Sequence, residues 1–507
     1  MEQDDVPARP LTGRFATCFV VLLALSCMPL LLTALPPLLD YPNHLARMHL
    51  LPSLPPGSAL ARYVAVRWAP LPNLGMDGVV PFLALVMPLE WAGKLFIALT
   101  FLLLAGGTAA LHRVLFGRWS SWTLLAFLLL YTRLLLWGFM GYLFGCGLAL
   151  VAFAAWIGLR EGHWLQRVAL GGVFAVAIYL AHLLAFGLYA VMIGTYELGQ
   201  VWRERKPPLA AVRDLAIGAV PFLPALALMS GNSSTGRIIF ANPLRKLDLL
   251  FSVFDDYSRP FDVTCFVIAV LAVGFVFWRR WVRLAPEMAL PLLGLVAVYL
   301  AMPTQLFTAA GVERRIPMMI FLVLIGGSAW QARFARIEAM FLMGAAAMFA
   351  VRLAVIAVVW HNAGRLYASL LPGLDTLPRG ACLAVAFDKD SIGVQKAPLT
   401  HFPALALLRR DDFVTTLFAY PDQQPLALQP DAARMAALIP QDGLWWAFVD
   451  ATNTLSPDAM SALTECGYVA FTGTRAFTLK NAAGLTPLFV APRLQIYRVA
   501  AAAAAPQ

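Results

Sequence analysis

Long apolar runs broken by short, arginine-bearing connections set the pattern of this chain. Runs near 15–36, 92–113, 119–135, 139–159, 168–181, 185–200, 212–230, 261–279, 284–302, 315–330 and 338–360 carry almost no charge. A helix that crosses a bilayer needs about 20 apolar residues, so these runs predict about eleven transmembrane helices, several of them short. The connections alternate in character. "ARPLTGR", "HRVLFGRW", "REGHWLQR", "WRERKPPLAAVR", "RRWVR" and "QARFARIE" are short and basic, whereas those between them are longer and less basic. Basic loops stay on the cytoplasmic side. This puts the N-terminus inside and everything after the last run outside. The first run follows Arg9 and Arg14 as a signal peptide would, but it is long and lacks an A-x-A exit. It reads as a retained anchor.

Two outer loops stand out by length, 37–91 and 231–260. Loops this long are uncommon without a role. Within the first, "VVPFLALVMPLE" (79–90) is apolar but too short to span, as expected of a helix lying on the membrane surface. The transmembrane domain ends at 360, and from 361 to 500 the pattern becomes that of an α/β domain. "ACLAVAF", "LWWAFVD", "CGYVAFTGT" and "LQIYRV" read as strands, and "PDAARMAALI" and "SPDAMSALTEC" as capped helices. Residues 501–507 are low-complexity and predict a disordered tail.

Composition agrees. Of 507 residues, 60% are hydrophobic and 13% charged, with a mean hydropathy of +0.73. No soluble domain hides that much apolar surface, so the fold class is a polytopic α-helical membrane protein with a C-terminal periplasmic α/β domain. The net charge of +10 lies mostly in the short loops. It orients the protein in a lipid bilayer rather than forming a stripe for nucleic acid. Cys382 and Cys466 fall in the outer domain, where a disulfide and two buried thiols are both open. No P-loop, no GxGxxG after a strand and no HExxH occurs. "GYLFGCG" (141–147) is a small-xxx-small packing pattern inside a span.

The candidate chemistry begins where the first run ends, in "LLDYPNHLAR" (38–47). Pro42 favours a helix start at itself, which gives the cap to Tyr41 and leaves Asp40 uncommitted. His44 and Arg47 then share a face. Asp40 is either a solvated acid or ion-pair partner of Arg47, or a reactive carboxylate at the membrane edge. Cations gather at the outer ends of other spans: Arg133, Arg314 and Arg315 in "GVERRIP", and Arg352 about 12 Å inside its helix end. An intramembrane charge such as Arg352 defaults to a functional hypothesis, with snorkelling to headgroups as the alternative. His182 in "YLAHLLAF" is a structural histidine or a ligand contact, and Asp77 reads as a helix cap.

A long first span followed by an outer loop that opens with an acid and a short helix resembles the GT-C superfamily of integral membrane glycosyltransferases. The likeness covers the architecture of residues 1–360. It implies a sugar donor carried on a polyprenyl phosphate and a glycan, lipid or protein acceptor. It also implies that Asp40 is the base toward the acceptor hydroxyl. A single acid followed by Tyr41 stands where the family carries D-x-D or D-E. On this reading Tyr41, His44 and Arg47 contact substrate and His182 lies beside it. Arg314 and Arg315, with Arg133 or Arg352, hold the departing phosphate. The residues single out no certain cofactor, and a divalent cation at Asp40, Asp255 and Asp256 is the alternative. The implied location is a bacterial inner membrane, with the N-terminus cytoplasmic. The competing class is a non-enzymatic transporter or envelope scaffold, although no internal repeat of the transporter kind is evident. A third option, an envelope acyltransferase, would rest on His182 alone.

Overall fold

The computed structural model describes residues 10–52, 54, 57–229, 237–307, 309–388, 396–420 and 423–500. The tail 501–507 and the start of the second long loop, 231–236, lie outside the described residues. Among the described residues, seven helices are long and apolar enough to cross a membrane: Gly13–Leu31, Leu89–Phe116, Met140–Gly158, Trp164–Ala181, Pro208–Met229, Arg259–Trp278 and Ala332–Leu374. With them run Leu183–Arg203 and shorter apolar helices such as Ala289–Ala301 and Ile316–Gly326. The protein is a polytopic helical membrane protein with a C-terminal sheet domain.

Two predicted spans are not continuous helices. The run 119–135 forms a 3₁₀ segment, Ser121–Leu129, and a separate short helix, Arg133–Trp137, because Thr132 adopts an extended conformation (φ −122°, ψ 166°) between them. The run 315–330 stops as a helix at Gly326, and Ser328–Trp330 pairs as a strand with Val282–Leu284. At the other extreme, the last span does not end at 360 but continues as one helix to Leu374. The surface helix expected over 79–90 is Gly75–Leu83 followed by a turn, and Phe82, Leu85 and Val86 are exposed around it.

At the centre, Leu89–Phe116 packs on Met140–Gly158. Small residues set the contact: a Cβ on Gly147 would fall 2.6 Å from Leu103 Cβ, and one on Gly107 2.7 Å from Leu150 Cβ. Close backbone approach of this kind holds helices together where lipid offers no hydrophobic drive.

The C-terminal domain is a five-stranded sheet in the order Leu485–Ala491, Leu494–Val499, Gly467–Thr472, Cys382–Phe387, Phe413–Val414. The last three strands run parallel, and the first two form an antiparallel hairpin. Helix Pro457–Cys466 starts at Ser456, whose side chain accepts from Ala459 N–H at 3.2 Å. A Cys382–Cys466 disulfide joins that helix to the strand Cys382–Phe387. The domain does not stand apart from the first loop. Val64–Val66 pairs antiparallel with Leu426–Leu428. Ala46, Leu50, Leu60 and Val64 are buried in the same core as Ala384, Leu407 and Val469.

Candidate functional site

The helix after the first span runs Tyr41–Leu50, with Asp40 itself, not Tyr41, at the cap position. Pro42 is tolerated in the first turn because its missing N–H would have no intrahelical partner there. The Asp40 carboxylate makes no capping bond. Its backbone is clamped on the far side: Leu39 N–H donates to Leu136 O at 2.8 Å and Asp40 N–H to Trp137 O at 3.3 Å. Gly138 makes this approach possible. Its φ is +92°, and a Cβ there would sit 2.8 Å from Asp40 Cβ.

Burial pushes the Asp40 pKa up to about 7, against the opposing pull of Arg315 and Arg47. Its side chain is still 19% exposed, so the carboxylate can be reached. One carboxylate oxygen, Oδ1, lies 3.5 Å from Nε2 of His401, a residue of the C-terminal domain that pattern reading did not single out. A histidine between Pro398 and Pro403 in an apolar stretch is the only signal the chain carries for it.

Arg47 is not available to a ligand. Its Nε and Nη2 donate to the two carboxylate oxygens of Asp77 at 2.6 and 3.0 Å, and both side chains are fully buried. Asp77 is therefore the ion partner of Arg47, within helix Gly75–Leu83, and not a cap. The pairing of Asp40 with Arg47 is replaced by this bond. His44 is a strut: Nδ1 accepts from Arg47 Nη2 at 3.2 Å, so the Nε2 proton donates to Gly138 O at 3.0 Å. Burial, reinforced by Arg47, lowers its pKa to about 3, and the ring is neutral. Tyr41 is fully buried against Gly93.

Arg315 lies on the other side of Asp40. Nη2 donates to Ala310 O at 3.2 Å, and the guanidinium stacks 4.2 Å over Phe139. Nη1 is 3.2 Å from His182 Nε2. His182 Nδ1 already accepts from Leu184 N–H at 3.1 Å, capping the helix Leu183–Arg203. A neutral ring accepts at only one of these two nitrogens, so Leu184 N–H and Arg315 Nη1 compete for it. Arg314 stacks 4.6 Å over Trp137, with Arg133 5.9 Å from the same ring. The Nε atoms of Arg133, Arg314 and Arg315 and the Nε1 of Trp137 are all buried without a hydrogen-bond partner. Four buried donors lacking acceptors, strung from Trp137 to Phe139 (rings 5.7 Å apart), form an anion-seeking surface.

Arg352 behaves differently. It neither snorkels nor joins this surface. It donates to Asp256 Oδ2 at 2.8 Å, to Phe254 O at 3.0 Å and to Tyr131 O at 3.2 Å, with Asp262 at 3.5 Å. Asp255 pairs with Arg133 and with Arg259. Asp40, Asp255 and Asp256 are thus not gathered around a cation: the latter two are neutralised by arginines. Among the described residues no group of three acidic, histidine or cysteine side chains could hold a metal ion.

No family model and no curated protein matches the chain. Solved structures do. Over 99% of its length the chain resembles ArnT from Cupriavidus metallidurans in the apo state, covering 100% of that chain at a TM-score of 0.53 and 13% identity. It also resembles the same protein bound to undecaprenyl phosphate, over 98% of this chain and 100% of that one, at a TM-score of 0.54 and 14% identity. The likeness is one of fold, and it extends over the whole chain, C-terminal domain included.

Proposed function

We propose that this protein is an integral membrane glycosyltransferase that moves a sugar from a polyprenyl-phosphate carrier to an acceptor hydroxyl, with Asp40 as base. The observation that carries the reading is one reachable carboxylate, its pKa raised to about 7, beside buried arginine and tryptophan donors with no acceptor of their own. A base works best when its pKa lies near the working pH. Fixed donors in a water-poor site stabilise a charge that grows on the departing group. In the reaction, Asp40 takes the hydroxyl proton as the acceptor oxygen bonds to the anomeric carbon. The bond from that carbon to the phosphate oxygen breaks, and its electron pair leaves with the polyprenyl phosphate. Arg314 and Arg315, with Trp137, meet that phosphate, and Arg133 borders it while paired with Asp255. Arg47, His44 and Arg352 are already committed within the protein and hold the frame instead.

An apolar groove of about 630 Å³ supports a lipid-borne donor. It is lined by Leu125, Phe266, Phe277, Phe321 and Met348, and its end at Val253 and Phe254 adjoins Asp255, the partner of Arg133. The likeness to a fold that holds undecaprenyl phosphate points the same way. We place the C-terminal domain on the periplasmic face of a bacterial inner membrane. The arginine-rich connections and the Cys382–Cys466 disulfide both favour that side.

The test is Asp40→Asn in membranes given polyprenyl-phosphate-linked radiolabelled sugars. Transfer to envelope acceptors is expected to fall by about 10²–10⁴-fold, with the melting temperature retained. Full transfer by the variant would end the assignment of Asp40.

A further inference from the structure

We infer that His401 is the positioning residue for Asp40, and that the C-terminal domain completes the site by presenting it. This rests on the reading of Asp40 as the base. The argument begins at Asn43, whose amide orientation is fixed from two sides. Its Oδ1 accepts from Phe418 N–H at 3.2 Å, and its Nδ2 donates to Thr416 O at 3.0 Å. Nδ2 is therefore the group that faces His401 Nδ1, at 2.9 Å. A donor opposite Nδ1 makes that nitrogen the acceptor, so the ring proton sits on Nε2. Nε2 is the atom directed at Asp40 Oδ1.

The ring cannot swing away. Phe418 packs edge-on against it at 5.0 Å. The next residue, Phe402, is fully buried against Tyr367 of the long helix Ala335–Leu374. Burial lowers the His401 pKa to about 4, so at neutral pH it is an uncharged donor. From 3.5 Å the Nε2–H dipole faces one carboxylate oxygen, which favours the ionised form and leaves Oδ2 to meet the hydroxyl. The other titratable or charged groups around Asp40 are Tyr420 from the C-terminal domain, His44 and Arg47 from its own helix, and Arg315. His44 and Arg47 are engaged with Gly138 and Asp77, which leaves His401 and Tyr420 as neutral donors near the carboxylate, with His401 Nε2 3.5 Å from Oδ1. Asn43 and His401 lie 358 residues apart in the chain, so only the docked C-terminal domain supplies this contact.

Two full-length variants separate positioning from packing. His401→Phe keeps a ring against Phe418 and removes the donor. His401→Gln places an amide N–H near the position of Nε2. For H401F, kcat is expected to fall about ten- to a hundredfold, as loss of a bond to a charged group implies. The KM for the polyprenyl-linked donor should be unchanged, and the rising limb of the pH–rate profile should move to higher pH because Asp40 loses support for its charge. H401Q should restore most of kcat and return the limb. An H401F protein with the wild-type profile overturns the inference, as does an equal loss in both variants without a shift of the limb. If D40N is inactive and H401F is normal, only the role of His401 falls; if D40N is active, the underlying reading falls first.

Discussion

Arg352 and Arg315 are both buried arginines, yet their surroundings differ. Arg352 meets two carboxylates and two backbone carbonyls. Arg315 has one carbonyl, a histidine for which Leu184 N–H competes and, among the described residues, no carboxylate within ion-pair distance. Desolvating a guanidinium costs free energy unless partners compensate. The chain compensates Arg352 with two carboxylates and leaves Arg315 without one, which fits the proposed phosphate role of Arg315. The same division runs through the first loop, where Arg47 and Asp77 close on each other while Asp40 stays reachable.

Breaking the closed cluster should give the largest change in stability. Arg352→Met leaves Asp256 and Asp262 without their cation and should cost about 3–5 kcal/mol, read as a lower melting temperature in detergent. Donor KM in the surviving folded protein should be near wild type. Arg315→Ala should invert this result. Stability changes little, while KM for the polyprenyl-linked donor rises about tenfold to a hundredfold, the loss expected of one bond to a charged group. Equal destabilisation by both variants would erase the distinction.

The most graded effect is that of pH. With a pKa of about 7, Asp40 gains its base form as pH rises through neutrality, and the transfer rate should climb over that window. Stability responds with the opposite sign. The unfolded chain ionises this carboxyl near 3.8, whereas the folded protein keeps the proton to about 7. Between those values, the contribution of Asp40 to stability falls as pH rises. D40N should remove that fall, which denaturation measured at a series of pH values would detect.

Periodicity and length made much of the bundle legible, because a continuous apolar run of span length has few alternatives in lipid. They failed where a run was apolar but locally interrupted, as at Thr132, and where a helix left the membrane without changing conformation, as it does after 360. In the site, the position of Asp40 and the cluster at Arg314 and Arg315 were legible as charges at span ends. Which charges were already satisfied was not. Asp77 looks like a cap by local rules, and only the fold brings it to Arg47. His401 was missed for the same reason: a contact to a residue hundreds of positions away leaves no local pattern in a single sequence.

The pairing of Val64–Val66 with Leu426–Leu428 also has a consequence in time. Roughly 360 residues separate these strands, and at about 5–20 residues per second of synthesis the first waits roughly 20–70 s for the second. During that interval the early loop is inserted, but its short strand has an open edge and its acid lacks the imidazole. The growing chain therefore passes through the membrane machinery with Asp40 and His401 still apart. Closing that edge brings the C-terminal domain, and with it His401, to Asp40.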